Sequence, residues 1–246
     1  FEQLVDVPFS TLWDMVKIAP HLAYLRCDRS VYGHVSAYIR NERLRQVFSF
    51  HPLLVGGNPL KITAMYSLIL YLERYGGVHF AMGGTNKLVD GMARLVERTG
   101  GTLRTNAEVD RILVEDGTAK GVALKSGETL GADIVVSNAD SAYTYRNMVP
   151  ESARKRWTNR KIDRAKYSMG LFVWYFGTNR TYDDVAHHTI LLSQDYKSLL
   201  NNIFDKKILT DEFSLYLHRP TATDPSMAPE GCDAFYVLSP VPHLQS

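Results

Sequence analysis

The sequence predicts an α/β fold of the mixed α+β kind, and three observations carry that reading. Apolar residues recur at helical spacing through roughly the first 75 positions, one helix alternates with short strands in the middle, and the last hundred positions are rich in β-branched and aromatic runs. With 45% hydrophobic, 11% aromatic and 22% charged residues in 246, the composition excludes disordered, collagen-like and coiled-coil chains. A net charge of +2, from 28 basic and 26 acidic residues, does not by itself indicate a nucleic-acid binder. Two cysteines, Cys27 and Cys232, are too few for a disulfide scaffold or a four-cysteine zinc site and fit a reducing compartment. The chain opens at Phe1 with no charged start before an apolar run, so no signal peptide is read, and its abrupt limits suggest a piece of a longer chain. No run of about 18 apolar residues is present, so no spanning helix is expected.

Taken in order, Ser10 or Thr11 is positioned to cap a helix carrying Leu12, Val16, Ile18 and Ala19. A second amphipathic segment is expected over 31–48, through Val35, Tyr38, Ile39, Leu44 and Val47. After the break at Gly56-Gly57-Asn58-Pro59, Ile62, Met65, Tyr66, Ile69 and Leu70 read as a further helix, stopped by Gly76 and Gly77. A short apolar run at 78–81 leads through Met82-Gly83-Gly84-Thr85 into a helix with Leu88, Met92, Leu95 and Val96 on one face, ended by Gly100-Gly101. Strands are expected at 102–106, 109–115, 119–124 and 132–137, with Asp116-Gly117 a strong hairpin signal. The run at 169–177 has the bias of a strand buried on both faces. Segments 213–218 and 234–239 read as strands and 196–204 as a helix, with Pro220, Pro225, Pro229, Pro240 and Pro242 punctuating the loops.

The chemistry-bearing patterns are sparse. No Gly-x-Ser-x-Gly elbow occurs. Neighbours His187 and His188 should point in different directions, a poor shared metal face, so no metal site is expected. The pair Asp183-Asp184 has no second acidic cluster to support magnesium binding. Arg154, Lys155, Arg156, Arg160, Lys161, Arg164 and Lys166, with Trp157 among them, form a basic segment that suits an anionic surface or equally a solvated helix face. With no helix-turn-helix, zinc-finger or RNA-binding signature, nucleic acid is not expected as a partner. In the Met82-Gly83-Gly84-Thr85 loop, amides at a helix start can face a phosphate or a flavin edge, although a tight turn alone accounts for a glycine pair. No Gly-x-Gly-x-x-Gly fingerprint is present.

The segment Phe48-Ser49-Phe50-His51-Pro52-Leu53-Leu54-Val55-Gly56-Gly57-Asn58-Pro59 resembles bacterial carotenoid desaturases, more narrowly the phytoene desaturase family. Gly83-Gly84-Thr85 with Leu88-Val89-x-Gly91-Met92, Ser137-Asn138-Ala139-Asp140, Ala186-His187-His188-Thr189 and Ala228-Pro229-Glu230-Gly231-Cys232 agree with it. The most specific segment is Tyr236-Val237-Leu238-Ser239-Pro240-Val241-Pro242-His243-Leu244. The resemblance implies the central part of a two-domain flavoprotein of amine-oxidase type, without the glycine-rich dinucleotide fold and the last flavin-contacting segment. It divides the chain into helices of the substrate domain over 1–77, a helix and β-meander portion of the FAD domain over 78–142, and the substrate-domain sheet over 143–246.

What the resemblance implies chemically is an FAD-dependent oxidoreductase acting on CH–CH groups of a phytoene-like polyene, with the fragment alone inactive. Such a substrate needs apolar walls, since each buried CH2 contributes about 0.8 kcal/mol, and a flavin as hydride acceptor rather than a catalytic triad. Gly83, Gly84 and Thr85 are implied at the flavin, Val109 at the adenine, and Asn138, Ala139 and Asp140 at the strand returning to the cofactor. Phe172, Trp174 and Phe176 on one strand face, with Tyr216 and Tyr236, are the expected substrate walls, with Leu171, Val173 and Tyr175 on the other face and Phe213 and Phe235 as further candidates, and His51 is a weak candidate for handling a proton. A cytoplasmic, peripheral membrane location is expected, through Arg154, Lys155, Arg156, Arg160 and Lys161 and the apolar 53–72 stretch. Alternatives are a related carotenoid oxidoreductase (another polyene, a ketolase or a saturase) and a non-catalytic lipid- or membrane-binding module.

Overall fold

The computed structural model describes residues 11–243. These form two compact units, one of residues 11–89 with 168–243 and the other Asp90–Tyr167. Among the described residues no helix is long and apolar enough to cross a membrane.

The first unit opens with three short helices. In α1 (Leu12–Tyr24), Thr11 Oγ1 accepts the Asp14 amide at 3.2 Å and the Asp14 carboxylate accepts the Thr11 amide at 3.0 Å, a reciprocal capping box. Ser10, the other candidate cap, lies outside the described residues. The expected helix over 31–48 is two, α2 (Val31–Tyr38) and α3 (Glu42–Ser49). The break has a local cause: Ile39 is extended, and Asn41 Oδ1 accepts the Leu44 amide at 3.2 Å, which starts a new helix. A 3-10 turn at His51–Val55 ends on Gly56 at φ 75°, where glycine carries no Cβ penalty. Ile62 precedes the next helical turn, and its carbonyl accepts the Val31 amide at 3.0 Å. The helix α4 (Leu68–Gly76) is stopped by Gly77 at φ 76°.

The remainder of this unit is a four-stranded antiparallel sheet of β4 (Gly170–Thr178), β5 (His188–Leu191), β6 (Leu215–His218) and β7 (Asp233–Val241), in the order β4-β7-β6-β5. The expectation that the 169–177 run is buried on both faces does not hold: Phe172 is 61%, Trp174 60% and Tyr175 73% exposed. The reason is position, because among the described residues β4 is an outer strand, paired to β7 alone from Gly170↔Val241 to Thr178↔Asp233. The core sits between sheet and helices, where Tyr196, Leu199 and Leu200 of α8 (Tyr196–Asn201) and Ile203 of the following π-helical turn are nearly inaccessible. They pack with Tyr32 and Met169, and Leu53 and Phe204 lie against both groups. At the start of β7, Asp233 is buried in an ion pair with Arg219 at 3.0 Å and accepts the Tyr182 amide at 2.7 Å and the Thr221 hydroxyl.

The second unit contains the expected meander, β1 (Val109–Glu115), β2 (Thr118–Leu124) and β3 (Thr129–Gly131). Asp116 at φ 49° and Gly117 at φ 76° make the tight turn between β1 and β2. Gly121, at φ 140°, faces Gly131, and a Cβ there would collide with the Leu130 carbonyl oxygen. Two expected strands are absent. No described strand lies beside 102–106, and 132–137 leaves the sheet after Gly131 with Ile134 80% and Val136 88% exposed. The helix α5 (Thr85–Arg98) runs from the first unit into the second, with Leu88, Met92, Leu95 and Val96 all exposed. The second unit also holds the short helices α6 (Ser141–Tyr143) and α7 (Asn159–Asp163), with a π-helical turn at Thr144–Met148 and a 3-10 turn at Glu151–Ala153 between them.

Candidate functional site

The two-residue period of the strands decides which nominated walls share a surface. Leu171 pairs with Pro240, Leu238 with Tyr216, and Tyr216 in turn with Ile190, so these five lie on one sheet face. Against them lie Phe50, Leu53 and Leu54 from the 3-10 turn region, Met169, and Tyr196 of α8, enclosing an apolar cavity of about 100 Å³. Tyr216 and Tyr236 are therefore on the cavity face, while Phe172, Trp174 and Phe176 are on the opposite one, where Phe176 stacks on Phe235 at 5.2 Å. The expected wall residues do not form one wall. The side chains that do line the cavity, apart from Leu171 and Tyr216, were invisible as a set because they come from well-separated segments of the chain.

Along the same face the cavity gives way to polar groups. His188 Nδ1 lies 2.6 Å from the Tyr216 hydroxyl, which lies 3.1 Å from His218 Nδ1. Tyr236 stacks on His218 with ring centroids 4.4 Å apart. His187 packs beside His188 at 4.4 Å and His218 at 4.6 Å, with Phe80 edge-on at 4.8 Å. The expectation that the adjacent histidines diverge fails because His187 precedes β5, where strand alternation has not begun, while register sets His188 against His218. Burial, then the neighbouring His187 and His188, push His218 down to about 4, so that ring is neutral at pH 7. Burial and the Tyr236 hydroxyl push the Tyr216 phenol above its ordinary value. Two signals for this group stood in the sequence: the adjacent pair His187-His188, and Tyr216 and His218 two apart on a predicted strand.

The glycine loop reads differently from a phosphate cradle. The Gly83 amide donates to the Asp224 carboxylate at 2.6 Å and the Gly84 amide to the Ala81 carbonyl at 2.9 Å. Both donors are spent inside the protein, and a carboxylate at the loop repels an anion, so neither amide is free to hold a phosphate. Their need for glycine is conformational, at φ 80° and 92°. Thr85 begins α5. Val109 opposes Leu124 at the start of the meander, and Asn138, Ala139 and Asp140 are exposed, with Asp140 Oδ1 accepting the Tyr143 amide at 2.8 Å. Gly83–Thr85 belong to the first unit and the other four residues to the second. His51 is 6% exposed, with Nε2 3.2 Å from Glu73 Oε2. Burial pushes its pKa down while Glu73 pulls the other way, and it is not part of the lining of the apolar cavity. Within the basic segment, Arg154 has a 3% exposed side chain bonded to Asn159 Oδ1 at 2.7 Å, which removes it from any surface contact; Lys155, Arg156, Arg160 and Lys161 are exposed.

The chain has one unit in which an antiparallel sheet and a helical layer line an apolar cavity and another built on a meander, and its residues 8–215 match the family of flavin containing amine oxidoreductases. The chain belongs to this family. It is 50% identical over 248 aligned positions to the phytoene desaturase (neurosporene-forming) of Cereibacter sphaeroides, covering 100% of this chain and 48% of that protein. It is 48% identical over 244 positions to the phytoene desaturase (lycopene-forming) of a Paracoccus species, covering 99% and 49%. The chain thus spans about half the length of the curated relatives it matches. An oxidoreductase from Methanosarcina mazei shares the fold at a TM-score of 0.65 and 20% identity, over 96% of this chain and 53% of that one.

Proposed function

We propose that this chain supplies the polyene-binding part of an FAD-dependent carotenoid desaturase acting on phytoene or a close relative. The observation that carries the reading is 50% identity to a phytoene desaturase along the chain, and the apolar cavity walled by Leu171, Tyr216, Leu238 and Pro240 against Leu53 and Tyr196, with room for a few carbons of a polyene, supports it. A hydrocarbon polyene has no group for a charged side chain to hold, so apolar walls are its recognition, at about 0.8 kcal/mol for each CH2 buried. Bound flavin supplies the hydride acceptor. The chain's own residues bind and orient the hydrocarbon and exclude water. Tyr216 sets the polar limit of the wall.

A substrate of this kind resides in bilayers, and the reading extends to a cytoplasmic protein held peripherally at a membrane. Exposed Lys155, Arg156, Arg160 and Lys161 support the contact, with Lys161 seated over Trp157 at 4.2 Å and Leu54 and Val55 adding exposed apolar surface in the first unit. The test is product analysis of the polypeptide expressed from its complete gene, given FAD and phytoene in liposomes. A product with a longer conjugated system is expected, and its length separates neurosporene-type from lycopene-type products. Unchanged phytoene with bound flavin would refute the assignment. Leu238→Asp, which places a charge in the wall, should lower phytoene turnover at least about tenfold.

A further inference from the structure

We propose that His187, His188 and His218 form a binding site for a divalent transition-metal ion of the zinc type, outside the desaturation chemistry. One ring nitrogen of each lies within 4.8 Å of the other two. Ligands on a shared tetrahedral zinc sit about 3.4 Å apart, given zinc–nitrogen bonds of about 2.0 Å, so modest ring rotations close the site. The three residues reach this point from the start of β5 and the end of β6, which register sets opposite one another.

Two further observations concern the ring nitrogens. Each Nδ1 already faces a hydroxyl: His188 and His218 share Tyr216, at 2.6 and 3.1 Å, and His187 faces Thr223 Oγ1. The Tyr216 oxygen has two lone pairs, and in the arrangement where it accepts from both Nδ1–H groups, both rings keep Nε2 as a lone pair for a metal. This is the outer-shell arrangement that orients metal-bound imidazoles. In addition, His187 Nε2 is buried and has no hydrogen-bond partner, an unmet need that a metal ion satisfies. His188 is exposed, so an ion can enter and keep a water in its fourth position. Three imidazoles without carboxylates select zinc, copper or nickel over magnesium or calcium.

The decisive measurement uses the untagged full chain, stripped of metal, titrated with Zn2+ against a chromogenic chelator and separately with Co2+ followed by visible absorption. One zinc per chain and the intense bands of four-coordinate cobalt are expected. His188→Ala, on an exposed ring, should weaken zinc binding by at least about tenfold, and Tyr216→Phe by about 10- to 100-fold. His21→Ala, an exposed histidine of α1, should change nothing. Zinc binding untouched by His188→Ala, no saturable binding, or only the pale spectrum of six-coordinate cobalt would each overturn the site.

Discussion

Asp233 shows how one buried side chain sets an acid limit on the fold. Burial alone pushes its carboxyl up, but the Thr221 hydroxyl, the Tyr182 amide and the Arg219 guanidinium outweigh burial and hold it below the ordinary 3.8. Because the folded value is the lower one, the stability this group contributes is complete above about pH 3.8 and is lost as pH falls through the folded value. Asp233→Asn should therefore flatten part of the acid limb of a thermal-stability profile. Asp233→Ala strands Arg219 without its partner and should cost about 3–5 kcal/mol at pH 7, read by chemical denaturation. A loss under about 1 kcal/mol would mean that water reaches Arg219 and replaces the pair.

Among the elements, the meander turns on glycines with opposite tolerances. Gly121 has φ 140° and no room for a Cβ beside the Leu130 carbonyl, so Gly121→Ala should part β2 from β3 and cost about 2–3 kcal/mol. Gly117 has φ 76° but open space around it, and Gly117→Asn should cost only a few tenths of a kcal/mol, since asparagine tolerates the left-handed region. Hydrogen exchange at the Val122 and Ala123 amides and thermal melts separate the two outcomes; equal losses would show that conformation alone matters. The Asp116-Gly117 hairpin was legible in advance because a two-residue turn is decided by its own φ angles. The expected strands at 102–106 and 132–137 were not, because a strand exists only where a partner lies beside it.

For the whole molecule, a net charge of +2 gives no general attraction to anionic lipid, so any binding must come from local clustering. Replacing Lys155, Arg156, Arg160 and Lys161 together by glutamate should abolish sedimentation with anionic vesicles at low salt, each basic residue contributing about 1 kcal/mol near such a surface. Raising salt to about 1 M should have a similar effect on the unaltered protein. Equal binding to neutral vesicles would remove the electrostatic contribution. Arg154→Glu, by contrast, should act on stability, because that side chain is buried against Asn159.

From the sequence alone came the class of fold, most helices, the hairpin, three strands of the larger sheet and the family resemblance through long motifs such as 48–59 and 236–244. Each depends on neighbours in the chain: caps, turn angles and periodicity act over a few residues. Tertiary structure decided which residues meet. The split of Tyr216 and Tyr236 from Phe172, Trp174 and Phe176 follows from sheet register, and the outer position of β4 follows from strand order. The meeting of His187 and His188 with His218, and the capture of the Gly83 amide by Asp224, 141 positions away, need the chain to fold back on itself. Contacts of that span are chosen by packing of the whole core, and no local pattern encodes them.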